Sequence, residues 1–312
     1  MRDMPGQKHV AVLMGGWSSE REVSLRSGAA CAAALEGAGY RVTRVDVGRN
    51  VAAVLTDLEP DVAFNALHGP YGEDGRIQGL LEILGIPYTH SGVLASAVAM
   101  DKDKAKAVFK AHDVPVVEHL LVHRLDAAKA HVMAPPYVVK PVAEGSSFGV
   151  LIVREGTPHP PQELTREDWA YGETVMVERY VAGRELTCAV VGDEALGVIE
   201  IVASGHPFYD YDAKYLPGGS RHVLPAPLSP FLYQSVQILT LRAHRALGCR
   251  GVSRADFRLD DRPGGSGEII CLEVNTQPGM TATSLVPEMA AHAGMDLGAL
   301  VSWMVEDASC GR

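Results

Sequence analysis

No pair of the five cysteines stands at CxxC spacing: Cys31, Cys188, Cys249, Cys271 and Cys310 are scattered and odd in number. A disulfide framework or a cysteine-built zinc site is therefore not expected, and the reducing cytoplasm is the expected compartment. Long apolar runs are missing too. Stretches such as Gly92–Met100 fall far short of the roughly 18 residues a membrane span needs. The N-terminus, MRDMPGQKHVAVLMGG, has too short an apolar segment for a signal peptide and lacks the small-residue cleavage pattern. Positive charge is in deficit: 28 Lys and Arg against 38 Asp and Glu leave a formal net charge of −10. Non-specific nucleic-acid binding, which rests on neutralising phosphates, is thereby disfavoured. Neither G-x-G-x-x-G nor a Walker A sequence is present, so the usual dinucleotide and P-loop readings fail.

What remains is an ordinary globular composition, 47% apolar and 21% charged, in 312 residues. Length alone suggests about two domains. The texture divides the chain into three: 1–92, 93–180 and 181–312. In the first, strands are expected at His9–Met14, Tyr40–Asp46, Asp61–Leu67 and Ile86–Thr89, with helices at Ser24–Ala38 and Ile77–Leu84 between them. That alternation predicts an α/β unit with a parallel sheet, whose ligands sit at carboxyl ends of strands. Gly15-Gly16 and His68-Gly69 fall at such ends; Ser18 or Ser19 is the expected cap of the first helix.

The second region predicts a Lys-rich helix over Asp101–His112, then strands at Val116–Val122, Tyr137–Lys140, Val150–Val153 and Thr174–Tyr180. The third reads mostly β (Glu185–Val191, Leu196–Val202, Ala255–Leu259, Glu268–Val274), with a helix at Pro230–Leu247 and a helical tail at Pro287–Glu306. A Gly/Pro/Tyr-rich loop spans Ser204–Pro227 and reads either as surface or as a lid. His119 and His123 fall on a strand, where residues four apart are too distant to share a metal.

The sharpest chemical signal lies in the last two strands. Period two puts Glu273 and Asn275 on one face, and a hairpin brings Asp256 beside them. Two carboxylates and an amide oxygen are hard donors suited to Mg²⁺ shared with substrate phosphates. The alternative is a solvated strand face, which the apolar neighbours Ile269, Ile270, Leu272 and Val274 disfavour. Lys140 ends a strand and opens the loop PVAEGSSFG, whose Gly and Ser allow backbone N–H groups to close over phosphate oxygens. A flexible hairpin is the plain alternative.

Together, the motifs GGWSSEREVSLRSG (Gly15–Gly28), LHGPYGEDGRIQG (Leu67–Gly79), SGVLASAVAMDK (Ser91–Lys102), KPVAEGSSFGV (Lys140–Val150), FYDYDAKY (Phe208–Tyr215), SRADF (Ser253–Phe257), LEVNTQPGMT (Leu272–Thr281) and SLVP (Ser284–Pro287) resemble the D-alanine–D-alanine ligase family of the ATP-grasp superfamily. The resemblance implies an α/β, overall α+β, ATP-grasp fold: an N-terminal Rossmann-like substrate domain, a central ATP-grasp subdomain and a C-terminal catalytic domain. It implies an ATP-dependent carboxylate–amine ligase that makes D-alanyl-D-alanine through a D-alanyl phosphate, for peptidoglycan precursors. Two Mg²⁺ or Mn²⁺ ions, a homodimer, and no nucleic-acid or membrane partner are implied as well.

Carried over residue by residue, the resemblance puts Lys102 and Lys140 on ATP phosphates and Lys214 on the γ-phosphate. Glu178, Tyr180 and Val181 belong to the hinge that accepts adenine, and Glu185 holds the ribose hydroxyls. Asp256, Glu273 and Asn275 hold the metals, with Glu273 shared. Glu20 anchors the first D-alanine's ammonium, with His68 near its carboxylate. Arg254 and the Gly279 N–H face the tetrahedral oxyanion, and Ser284 and Leu285 take the second carboxylate. Glu20, Ser146 and Tyr215 match the family's hydrogen-bonded triad. Two departures stand out. Arg258 replaces a usually apolar residue and is expected on the outer face; Trp17 replaces a smaller one. A D-alanine–D-lactate ligase is the nearest alternative, disfavoured by the Tyr215 loop. A catalytically dead ATP-binding module is disfavoured by intact Lys214, Arg254, Asp256, Glu273 and Asn275, and a dehydrogenase by the missing glycine fingerprint.

Overall fold

The computed structural model describes residues 7–145, 148–203, 219–281 and 283–312. Within them lie three sheets, one in each stretch that the sequence texture separates. β1 (His9–Met14), β2 (Arg41–Asp46) and β3 (Val62–Asn65) form a parallel sheet in the order β2-β1-β3. β1 is apolar throughout because it is covered on both faces. Val10 and Val12 point to one side, Ala11 and Leu13 to the other, and each pair enters a different core. Helices α1 (Arg21–Gly37), α2 (Val51–Leu58) and α3 (Arg76–Leu84) supply the cover. The segment Ile86–Thr89 is no strand; it contributes two isolated bridges through Tyr88, one to Ala63 and one to Ser309.

The turn after β1 needs glycine. Gly15 and Gly16 both have φ near +75°, and a Cβ on Gly15 would collide with the Asp46 carboxylate. That carboxylate is held by a two-pronged contact from Arg21, 2.7 and 2.6 Å. Helix α1 begins three residues earlier than expected, and neither Ser18 nor Ser19 caps it; the cap position is Glu20. Ser18 instead donates to the His68 carbonyl at 2.6 Å, so it links the two strand-end loops.

Two helices, α4 (Val93–Met100) and α5 (Lys102–Ala111), lead onward. The Asp101 side chain accepts from the N–H groups of Asp103 and Lys104, which starts α5 cleanly. Both helices bury their apolar faces against the third sheet. The second sheet is antiparallel, β4 (His119–His123), β7 (Thr174–Arg179), β5 (Tyr137–Pro141) and β6 (Leu151–Val153) in that spatial order, with the short helix α6 (Arg124–Lys129) against it. Its core, built on Tyr137, Val139, Val175 and Val177, is its own. His119 and His123 meet different carboxylates, Asp103 and Glu173.

The third sheet runs β10 (Ser220–Val223), β9 (Glu194–Ala203), β8 (Arg184–Val191), β11 (Val252–Leu259), β12 (Ile269–Asn275). β10 is a strand inside what the sequence suggested was loop; it pairs with the end of β9. Helix α7 (Pro230–Leu247) opens on Ser229 and Pro230 and stops at Gly248 with φ +71°. The helical tail is two helices, α8 (Leu285–His292) and α9 (Leu297–Asp307).

The first and third sheets share one core. Val10, Val12 and Leu35 pack with Ala189, Ile199, Val252, Leu300 and Met304, and α9 lies along α1. A buried amide pair reinforces the join: Asn65 donates to the Gln277 side chain at 2.6 Å, and Gln277 donates to the Leu67 carbonyl at 2.5 Å. Among the described residues, no helix is long and apolar enough to cross a membrane.

Candidate active site

Two adjoining cavities lie where the sheets meet, and Lys102, Glu144 and Glu273 line both. The first, about 100 Å³, is lined by Glu20, His68, Arg254, Asn275, Gly279, Ser284 and Leu285, among others. The second, about 140 Å³, is lined by Lys140, Glu178, Tyr180, Val181, Glu185 and Asp256, with Val138, Val150, Ile152 and Leu272 giving it an apolar wall. The structure thus sorts the candidate residues into two neighbouring compartments. Ser146, Lys214 and Tyr215 lie outside the described residues.

In the first cavity, Glu20 is buried at the start of α1, with Gly69 and Gly145 pressed close to its carboxylate. An anion at a helix N-terminus is favourably placed. His68 uses both ring nitrogens, Nδ1 toward Glu73 and Nε2 toward Ser27, each at 3.1 Å. Burial works against the imidazolium, but Glu73, backed by Glu20, outweighs it and raises the His68 pKa; Arg254 opposes. His68 is therefore held in place through both ring nitrogens, in surroundings that favour the imidazolium more than water does. On the far side, α8 points its N-terminus at the cavity. Its cap residue Ser284 accepts from the Thr281 N–H at 3.0 Å, and Gly279 lies so close that a Cβ would come 3.0 Å from the Ser284 Oγ.

Cross-strand pairing sets the middle of the site. Asp256 lies opposite Glu273, and Arg254 opposite Asn275. The Arg254 guanidinium grips Asp256 through two bonds, 2.8 and 2.7 Å, and the Thr187 hydroxyl adds a third at 2.7 Å. Lys102 donates to the Glu144 carbonyl at 2.6 Å and stands 3.4 Å from Glu273. Among the described residues no three His, Cys, Asp or Glu side chains converge on a metal position. The third oxygen donor is the Asn275 amide, and the donor set of two carboxylates and an amide fits a hard divalent cation.

In the second cavity, Glu178 joins two lysines, Lys140 at 2.6 Å and Lys106 at 2.7 Å, all three buried. Burial pushes the Glu178 pKa up, but the two ammonium groups override it and hold the carboxyl at about 2. Lys140 is the penultimate residue of β5, and the loop beyond Pro141 is the β5–β6 turn, with Val139 paired to Leu151. Arg258 is not on the outer face. Arg254, Asp256 and Arg258 share one side of β11, so Arg258 enters this cavity and bonds Glu185 at 3.1 Å.

Four functional neighbours escaped the sequence reading: Ser27, Glu73, Lys106 and Thr187. Lys106 had a signal, since it follows Lys102 by one helical turn on α5. Glu73 lies within the LHGPYGEDGRIQG segment, Leu67–Gly79. Ser27 and Thr187 reach their partners only through tertiary pairing.

Known proteins match this chain over nearly its whole length. The family description "D-ala D-ala ligase C-terminus" fits residues 108–306, and "D-ala D-ala ligase N-terminus" fits residues 51–91. The D-alanine–D-alanine ligase of Methylocella silvestris is 70% identical over 305 residues, 98% of this chain and 99% of its own. That of Rhizobium meliloti is 68% identical over the same span and shares. The chain belongs to the D-alanine–D-alanine ligase family. Among solved structures, the Bacillus anthracis D-alanine–D-alanine ligase complexed with ATP superposes with a TM-score of 0.80 at 29% identity, covering 96% of this chain and 97% of that one. As a member of this ligase family the chain is an ATP-dependent enzyme of ATP-grasp fold, with the parallel sheet beside two antiparallel ones.

Proposed function

We propose that this chain joins two molecules of D-alanine at the expense of ATP, for peptidoglycan precursors, and that its two cavities divide the work. The observation that carries the reading is their junction. Amino-acid and nucleotide compartments meet at Lys102, Glu144 and Glu273, where a carboxylate and a γ-phosphate must come together.

Glu178, Tyr180 and Val181 receive the adenine and Glu185 the ribose. Lys102 and Lys140 offset phosphate charge, which phosphoryl transfer between two anions requires. Lys214 is assigned to the γ-phosphate. Asp256, Glu273 and Asn275 would hold two Mg²⁺ or Mn²⁺ ions, with Glu273 serving both; when bound, such ions neutralise phosphate charge.

Glu20 anchors the ammonium of the first D-alanine and His68 faces its carboxylate. That carboxylate takes the γ-phosphoryl group and ADP leaves. The acyl phosphate is then an electrophile with a good leaving group. The N-terminus of α8, at Ser284 and Leu285, holds the second carboxylate. The second amine must shed a proton before its lone pair can attack; the Glu20–Ser146–Tyr215 triad is assigned to help. The resulting oxyanion faces Arg254 and the Gly279 N–H, and phosphate departs as the peptide bond is left behind.

The test is phosphate release with ATP, Mg²⁺ and D-alanine, with the product identified by mass and D-lactate present as competitor. D-alanyl-D-alanine as the main product is expected. A depsipeptide product would keep the fold and replace the second substrate; no turnover would remove the reading. The names carried by relatives at 68–70% identity support the dipeptide.

A pH dependence follows from His68. Its raised pKa means that the folded protein favours the imidazolium. That stabilisation is complete below the ordinary histidine value near 6.5 and is lost as pH rises through the raised value. The KM for the first D-alanine is expected to rise about tenfold across that alkaline transition. His68→Asn should start high and stay flat; a wild-type KM that is level from pH 6 to pH 9 would overturn the assignment.

The reaction consumes ATP, which supports a cytoplasmic location. A homodimer is assigned as well, supported by exposed apolar side chains on adjoining helices, Ile83 on α3 and Leu94 on α4. Light scattering on the full chain reads it directly.

A further inference from the structure

Arg258 does more than fill space in the nucleotide compartment. Its guanidinium donates three bonds to three different acceptors within five residues: Nε to the Val181 carbonyl at 3.1 Å, Nη2 to the Gly183 carbonyl at 2.9 Å, and Nη1 to the Glu185 carboxylate at 3.1 Å. The stretch 180–183 links β7 of the second sheet to β8 of the third. The linker is pressed onto the end of β11. Gly183 has φ +99°, and any Cβ there would run into the Leu259 carbonyl. The Tyr180 ring closes the side, its centroid 5.9 Å from the Arg258 guanidinium carbon. Arg258 and Glu185 are both largely shielded from water, with side chains 15% and 17% exposed.

We propose that Arg258 is a positioning residue for the nucleoside end of ATP. It fixes the Glu185 carboxylate and the 181–183 backbone in the geometry that receives a ribose, and so sets the preference for ribonucleotides over 2′-deoxyribonucleotides. The proposal rests on the reading of the second cavity as the nucleotide site.

Three physical points support it. A carboxylate offers about four acceptor positions, and the Arg258 bond uses one of them. A negative side chain beside a polyanionic nucleotide is unfavourable unless a cation offsets it, and Arg258 is that cation. Only a planar fork can serve three acceptors spread along a bend; a lysine ammonium is a point donor. Period two makes the placement obligatory, because Arg258 lies two residues beyond Asp256 on the same face of β11.

The experiment is calorimetric binding of ATP and 2′-deoxy-ATP to the full chain, wild type against Arg258→Met, Arg258→Lys and Glu185→Gln, followed by steady-state kinetics. Wild type is expected to favour ATP. Arg258→Met should weaken ATP about tenfold and 2′-deoxy-ATP far less, so that the preference collapses. In kinetics the loss should fall on the KM for ATP rather than on kcat or the KM for D-alanine. Arg258→Lys should recover part of the preference. Arg258→Met combined with Glu185→Gln should be no worse than the worse single variant, because the two act as a unit.

A wild-type preference retained in Arg258→Met overturns the proposal, as does a loss confined to kcat. Wild type that binds no ATP overturns the underlying nucleotide-site reading instead. If Arg258→Met does not fold, Arg258→Lys and Glu185→Gln carry the same comparison, since each removes part of the clamp at nearly constant volume.

Discussion

Arg254→Met is expected to lower kcat by about 10²–10³-fold while ATP still binds. Two consequences combine. The guanidinium that faces the tetrahedral oxyanion is gone, and its charge is worth most where water is excluded, as it is around a side chain only 12% exposed. Asp256 also loses its two-pronged partner and keeps the Thr187 hydroxyl. Arg254→Lys should restore little, because an ammonium cannot grip both Asp256 oxygens and face substrate at once. The check is kcat for phosphate release beside an ATP titration of the same protein. A kcat within tenfold of wild type would remove Arg254 from the oxyanion role.

Glu178→Gln should be the most destabilising conservative change in the nucleotide compartment. Glu178 is the common partner of two buried ammonium groups, Lys140 and Lys106. Removing one partner of a buried ion pair costs about 3–5 kcal/mol, because the remaining charge is left without compensation. The lower end applies, since burial already pulls the Lys106 pKa down and that lysine can shed its proton. Adding Lys106→Met to Glu178→Gln should recover part of the loss, which urea denaturation of the single and double variants reads. Acid titration gives the same contact with a definite sign. The Glu178 pKa is depressed to about 2, so its contribution is present above the ordinary carboxylate range and is lost as pH falls toward 2. A Glu178→Gln variant as resistant to urea as wild type would show the trio to be unimportant to folding.

Much of this site was legible because its signals are local. Glu273 and Asn275 share a face by period two, and their pairing with Asp256 and Arg254 follows once β11 and β12 form a hairpin. Helix α7 announces itself through Ser229, Pro230 and Gly248. Arg258 was misplaced although the same period that set Asp256 facing the cavity sets Arg258 there too. Thr187 could not be found locally: it meets Asp256 only through the β8–β11 pairing, 69 residues apart in sequence. The missed cap has a similar cause. Ser18 accepts from the Glu20 N–H at 3.2 Å and donates to the His68 carbonyl, a partner that exists only once β1 and β3 lie side by side. Strand β10 escaped notice because its four residues carry no alternation of their own and take their conformation from the edge of β9.

The core shared by the first and third sheets bears on how the chain is made. α1 is complete at Gly37, whereas α9, which packs along it, begins at Leu297. At about 5–20 residues per second, the interval between them during translation is on the order of tens of seconds. Throughout that interval the face of β1 bearing Val10 and Val12 waits for Leu300 and Met304. The nascent first sheet is therefore a client for whatever shields apolar surface at the ribosome exit. The central sheet, whose core is its own, can settle before the rest of the polypeptide has emerged.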